Sequence, residues 1–448
     1  SWCSGLDGYE KFGGVSMLTN AVVISVLVLC ILCLVRVNVF LSLLISAITA
    51  GMMGGLGVDG TMKTLITGMG SNPETALSYV LLGAMAAAIS YTGLADILAV
   101  KIAKAVNGRA IMFIITIAIV SCFSQNLIPV HIAFIPILIP PLLVVMNKMK
   151  LDRRAVACAL AYGLKAPYIA IPAGFGFIYH GIVAKNMSIN GMPIETMDVW
   201  RSTWTIGAVM FLGFLLATFI GYRKAREYKD IEGYAIDLDK VDTRLTSKHV
   251  VTLLAALSTL VIQIIWIDTP GSLALGAIFG LSIMFLTKTI KWSDMDEIFN
   301  QGVNIMGFIA FVMLASEGYS VVVKETGAVK ALIEGSLSVI GNSKFLGALV
   351  MMSIGLVIVM GTGTSFGTVP VIAVFFVPLS AALGFSVPAT IILLASAAAI
   401  GDAGSPVSDT TLGPTAGLNA DGQHDHIWDT CVPTFIYYNI PIFIWAVV

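Results

Sequence analysis

The run Gly401-Asp402-Ala403-Gly404-Ser405-Pro406-Val407-Ser408-Asp409-Thr410-Thr411 sets two carboxylates and several hydroxyls in a stretch whose glycines and proline oppose regular helix. Carboxylates, hydroxyls and unwound carbonyls that converge offer a hard cation such as sodium an all-oxygen shell. Asp409, flanked by Ser408, Thr410 and Thr411, is the preferred cation ligand, with Asp402 and Ser405 beside it. Lys165 lies within a different apolar segment, two residues after Gly163, while Asp402 follows Gly401 by one. Charges at membrane depth are costly and usually functional. Lys165 and Asp402 are therefore expected to form a buried ion pair whose protonation changes as a cation or substrate binds. The competing expectation is a static pair that fixes packing.

Two further stretches, 121–129 (Ser-Cys-Phe-Ser-Gln-Asn-Leu-Ile-Pro) and 361–370 (Gly-Thr-Gly-Thr-Ser-Phe-Gly-Thr-Val-Pro), carry the same breaking residues, as does Ala166-Pro167 through Gly176. Freed backbone groups in hydrocarbon are tolerable only beside protein, water or a ligand, so each break predicts a cavity. Half-helix N-termini there would favour an anionic group on a solute. Ser124, Gln125 and Asn126 in one half, with Thr362, Thr364, Ser365 and Thr368 in the other, are the predicted neutral contacts. Glu317 either contacts substrate or lies near the outer interface with Lys324. His131 and His180 are titratable additions at membrane depth, and His131, two residues after Pro129, reads as a hydrogen-bonded packing residue. Asp421-Gly422-Gln423-His424-Asp425-His426 looks like a metal site, but no ligand set elsewhere supports it, and a capped helix start is expected instead. Cys30 and Cys33, three apart, read as small helix-packing residues rather than a redox pair.

These groups need a scaffold, and composition says which kind. Of 448 residues 57% are hydrophobic and 11% charged, against about 25% charge in soluble domains. The chain is predicted to be an all-α polytopic membrane protein. Counting roughly 17–25 residues per crossing, apolar segments fall near 18–35, 39–57, 76–92, 110–128, 129–147, 155–183, 202–222, 250–267, 271–287, 303–323, 345–362, 366–384, 387–413 and 431–448, some of them not full crossings. With 25 Lys+Arg against 26 Asp+Glu, no basic excess exists for nucleic acid. Residues 1–16 are polar and Gly-rich and read as an artificial remnant or short external tail, Met17 as a native start.

The polar interval 223–248 reads as a linker between a first half, 17–222, and a second, 249–448. Placing it in the cytoplasm puts most basic residues inside, Arg36, Arg109, Lys150, Arg153, Arg154 and Arg226 among them, as the positive-inside rule requires. Alternation then gives each half an odd number of segments, so the halves enter the membrane from opposite sides. Internal matches agree in order: Thr92-Gly93 with Thr326-Gly327, Ser124-x4-Pro129-Val130 with Ser365-x4-Pro370-Val371, and Gly163-x3-Pro167 with Gly401-x4-Pro406. Two inverted-topology repeats, with discontinuous or re-entrant helices at the midplane, are the expectation. They would bring Lys165 and Asp402 together.

The Gly401–Thr411 run, followed by Leu412, resembles the NhaC-type sodium/proton antiporter family of the ion-transporter superfamily, whose members carry a similar Gly-Asp-x-x-Ser-Pro-x-Ser-Asp-Thr-Thr run in a late segment. The continuation Ala416-Gly417-Leu418-Asn419-Ala420-Asp421-Gly422-Gln423-His424-Asp425-His426-Ile427-Trp428-Asp429 looks more like a bacterial branch described as amino-acid, histidine in particular, permeases. The resemblance implies secondary transport in a bacterial inner membrane with sodium or proton coupling and no cofactor. It implies Asp402, Ser405, Ser408, Asp409, Thr410 and Thr411 as site residues, and partly supports a homodimer in which segments 18–57 and 250–287 form a scaffold. Two transport readings follow: cation-coupled uptake of a small zwitterion, and sodium/proton exchange with no organic substrate. An intramembrane enzyme is disfavoured, since the chain has no His-Glu-x-x-His and no nucleophile elbow.

Overall fold

The computed structural model describes residues 19–448 apart from 71–72, 107, 127–133, 174, 230–242, 267–268 and 270. The tail 1–16, His131, the break near Pro129 and much of the interval 223–248 lie outside the described residues. Secondary structure among the described residues is helical throughout. This is what lipid imposes, because a helix satisfies its backbone groups within one segment. Among the described residues five helices are long and apolar enough to cross a membrane: Thr196–Gly221, Met306–Glu325, Lys344–Thr362, Ser365–Ala382 and His426–Val447. Ala76–Tyr91 and Leu94–Ile102 form a pair bent by 73°, hinged at Gly93, and seven shorter apolar helices lie among the described residues. The protein is an all-α polytopic membrane protein.

Apolar surface gains little by leaving lipid, so close packing of small residues must hold these helices together. The contact between helices Pro73–Tyr91 and Met295–Glu325 shows how. A Cβ on Gly83 would stand 2.4 Å from the Gly302 carbonyl oxygen, so the two cross backbone to backbone. One turn before Gly83, Tyr79 is carried into the interior, 3% exposed.

The central helix, Arg153–Ala170, is small and apolar around its circumference and buried on nearly every side. At about 1.5 Å per residue, Lys165 lies about 18 Å along it from Arg153. Helices Lys344–Thr362 and Ser365–Ala382 form a hairpin whose two far ends meet, Lys344 Nζ donating to the Gly384 carbonyl at 2.6 Å. The hairpin turns at Gly363, whose φ of 64° suits glycine, and Thr364 caps the second helix by accepting from the Gly367 N–H. The interruption is narrower than the 361–370 expectation: Pro370 lies inside the second helix, where it forfeits one hydrogen bond without ending it. Next, helix Val387–Ala399 gives way to an unwound stretch that ends where Asp409–Leu418 begins, capped by Ser408. A Cβ on Gly401 would meet the Met360 nitrogen at 2.6 Å, so this stretch lies directly on the end of the hairpin's first helix.

Candidate functional site

The central helix, the hairpin tip and the unwound stretch meet at one buried cluster. Lys165 Nζ stands 2.5 Å from Asp402 Oδ2, with the lysine closed to solvent and the aspartate 5% exposed. Ser365, first residue of the hairpin's second helix, donates to the same carboxylate oxygen at 2.7 Å and accepts from Lys165 at 3.2 Å. Tyr168, one turn beyond Lys165, reaches Ser365 at 3.1 Å and Asp402 Oδ2 at 3.3 Å. The other oxygen, Oδ1, accepts from Ser408 and, at 3.4 Å, from Thr410. Three chain segments thus surround one carboxylate with a cation and four hydroxyls, the kind of satisfaction a buried charge requires.

A second carboxylate adjoins the first. Asp409 is half-buried at the first turn of its helix, where the dipole favours an anion. Its Oδ1 accepts from Thr410 at 3.3 Å and from Ser408 at 3.5 Å, so two hydroxyls bridge Asp402 and Asp409. Tyr79 donates to Asp409 Oδ2 at 3.2 Å from the helix that Gly83 docks. Every donor group around Asp409 named here is an oxygen, which suits a hard cation. Beside the pair, the rings of Tyr168, Tyr179 and Phe366 close a triangle with centroids 5.3–5.4 Å apart. Such a wall keeps water away and strengthens the electrostatics within.

Lys165, Ser365, Asp402, Ser408, Asp409 and Thr410 are therefore brought together. Ser405 and Thr411 lie in the same stretch but hold its backbone, Ser405 donating to the Met360 carbonyl at 2.9 Å and Thr411 to that of Ser408 at 3.0 Å. Thr362 Oγ1 meets Thr368 Oγ1 at 3.3 Å, and the Thr362 carbonyl accepts from Ser316 at 2.8 Å. Glu317, the residue after Ser316, is half-buried and has no hydrogen bond or ion pair among the described residues. The side chains of Ser124, Gln125 and Asn126 lie outside the described residues. His180 is buried, its Nε2 donating to the Ile169 carbonyl at 2.7 Å. Tyr168 and Tyr79 are additions to the sequence reading. The i,i+3 spacing from Lys165 signals the first; nothing local signals the second.

At its N-terminal end the central helix is locked. Arg153 makes a two-pronged contact with Asp421 at 2.6 and 2.5 Å and bonds Asn147 and the Leu418 carbonyl. Arg226 pairs with Asp429 at 2.7 Å, and Lys150 with Glu227 at 2.6 Å, stitching the chain after Gly221 to the same end. Asp425 caps the last span by accepting from Ile427 and Trp428, and burial pushes His424 below the usual imidazole range. No group of three or more His, Cys, Asp or Glu among the described residues is placed to hold a metal. Burial opposes the charge on Asp421, but the Arg153 guanidinium prevails and holds its carboxyl below the ordinary value. A lowered carboxyl stabilises the fold above its unfolded pKa of about 3.9, and that contribution disappears as pH falls through the lowered value. The melting temperature in detergent should therefore drop as pH falls below about 4. Asp421→Asn should lower melting at neutral pH and flatten that decline; an unchanged profile would show that the Arg153 contact contributes no stability.

Broken helices that enclose paired charges inside an all-helical membrane fold define a membrane transporter. The chain belongs to the Na+/H+ antiporter family: residues 159–448 match the family described in those words, and residues 20–106 match one described as "Na+-H+ antiporter family". A protein of Bacillus subtilis described as "Putative amino acid transporter YuiF" is 45% identical over 441 residues, covering 95% of this chain and 98% of that protein. A membrane protein of Vibrio parahaemolyticus is 45% identical over 438 residues, with coverage of 95% and 98%. Among solved structures, the YdaH transporter of Alcanivorax borkumensis aligns with 88% of this chain and 89% of its own at 14% identity and a TM-score of 0.45. MtrF of Neisseria gonorrhoeae does so with 87% and 84% at 13% identity and a TM-score of 0.45.

Proposed function

We propose that this transporter couples a sodium or proton gradient to uptake of a small amino acid, histidine foremost, by alternating access between two inverted halves. The observation that carries the reading is the buried Lys165–Asp402 pair with Asp409 beside it. A zwitterion presents the same two charges as the pair. Its carboxylate exchanges for Asp402 at Lys165 and its ammonium for Lys165 at the carboxylates, leaving the buried charge balanced throughout. Asp409, with Ser408, Thr410 and the Tyr79 hydroxyl, holds the coupling cation. Resemblance to the permease branch and the description of the Bacillus relative support an amino acid as solute. The reading includes a homodimer and a cytoplasmic linker at 223–248; mass determination in detergent tests the first and cysteine labelling from either side the second.

One observation favours a second reading. Hydroxyls of Ser408 and Thr410 bridge two carboxylates, an arrangement in which Asp402 and Asp409 alternate between a sodium ion and a proton with no organic substrate. Purified protein in proteoliposomes separates the two. Labelled histidine, followed by a panel of amino acids, should accumulate under an inward sodium or proton gradient and not without one. No uptake across the panel, together with sodium-driven proton flux, would establish exchange instead.

A further inference from the structure

The last span, His426–Val447, contains a polar side chain that the site described above does not use. Asn439 is 1% exposed, and neither Oδ1 nor Nδ2 has a hydrogen-bond partner among the described residues. A buried amide without partners forfeits the hydrogen bonds it made in water, whereas leucine of similar size fills the same space without that loss. The chain nevertheless builds this position with care. Pro441 has no N–H and its ring crowds the Tyr437 carbonyl, and just before it the helix widens to a π turn, Phe435–Asn439, in which the Ile440 N–H bonds the Phe435 carbonyl. Such turns concentrate at functional sites. This one carries Asn439 onto the unwound stretch, where a Cβ on Gly404 would stand 2.7 Å from Nδ2 and 2.8 Å from the Phe435 Cβ. Glycine at 404 is what lets the amide approach, two residues from Asp402.

We propose that Asn439 is a ligand of a coupling sodium ion, its carbonyl oxygen acting together with peptide oxygens of the unwound stretch around Gly404. This rests on the cation-coupled reading above and narrows the cation to sodium. Three features select that ion. An amide does not titrate, so it serves a metal cation and not a proton. Its oxygen and nitrogen ends exchange by a half-turn of the side chain, which brings the oxygen to Gly404. Neither polar atom is open to water, so an organic solute does not reach the amide, while a bare sodium ion is smaller than a water molecule.

The test is binding of radioactive sodium to the purified full-length protein in detergent, with melting temperature followed alongside, for the natural chain, Asn439→Leu and Asn439→Asp. Asn439→Leu should melt at the same or a higher temperature without sodium, yet need at least about tenfold more sodium for half-saturation, the scale of losing one contributor to a metal site. Asn439→Asp should bind sodium more tightly as pH rises and its new carboxyl ionises. Unchanged sodium affinity in Asn439→Leu overturns the proposal. If that variant does not fold, an affinity of Asn439→Asp equal to the natural chain at every pH overturns it instead. A natural chain that binds no sodium while taking up amino acid on a proton gradient also overturns it, and leaves the uptake reading standing. Weakened sodium binding in Asn439→Leu, in a protein that accumulates no amino acid, supports the Asn439 assignment and removes the uptake reading.

Discussion

Lys165→Met and Asp402→Asn should each reduce transport at least about 100-fold, and Lys165→Met should also lower the melting temperature. Removing one member of a buried pair strands the other, at a cost of about 3–5 kcal/mol. Here the stranded Asp402 still faces Ser365, Ser408 and Tyr168, whose hydroxyls compensate only partly for the missing ammonium. The double variant Lys165→Met with Asp402→Asn discriminates between roles. It removes both charges while keeping an acceptor for the hydroxyls, so its melting temperature should recover towards that of the natural protein. Transport should not recover, because neither charge of the pair remains to exchange with a solute, even though Asp409 is still in place. A double variant that melts normally and transports normally would make the pair a packing device.

Asp409→Asn should be as damaging to transport, about 100-fold or more, with little change in melting temperature. Half-burial is the reason for the difference: Asp409 keeps part of its hydration, so neutralising it disturbs the fold less than stranding one member of the fully buried pair. The amide retains an oxygen for Tyr79, Ser408 and Thr410 but offers a cation far less charge. The loss should therefore appear chiefly as a raised sodium or proton requirement, read from uptake across a series of gradients. Natural gradient dependence in Asp409→Asn would place the coupling ion elsewhere, and Asn439 would become its first location to examine.

Much of this site was legible in the sequence because the relevant physics is local. Glycine and proline bias the backbone wherever they stand, so the interruptions at Gly363 and between Ala399 and Asp409 announce themselves. Proline position alone misleads at Pro370, since a helix already under way loses only one hydrogen bond there and continues. Lys165, Asp402 and Asp409 stand out because an ionisable group at membrane depth has few explanations. Ser405 and Thr411 had the right composition, but which way a hydroxyl points inside an unwound turn is not a property of the hydroxyl. Both turned to the backbone.

The sequence by itself determined that this chain lives in lipid, that its helices break near Gly363 and after Ala399, and which charges lie at those breaks, since each follows from residues close together in the chain. Only the tertiary structure decided which groups meet. Tyr79 reaches Asp409 across 330 positions because glycines at 83 and 302 let two helices touch. Asn439 faces Gly404 because a proline two residues later coincides with a widened turn that re-aims it. Such encounters depend on contacts of a fraction of a helix diameter between distant segments, and no local pattern encodes them.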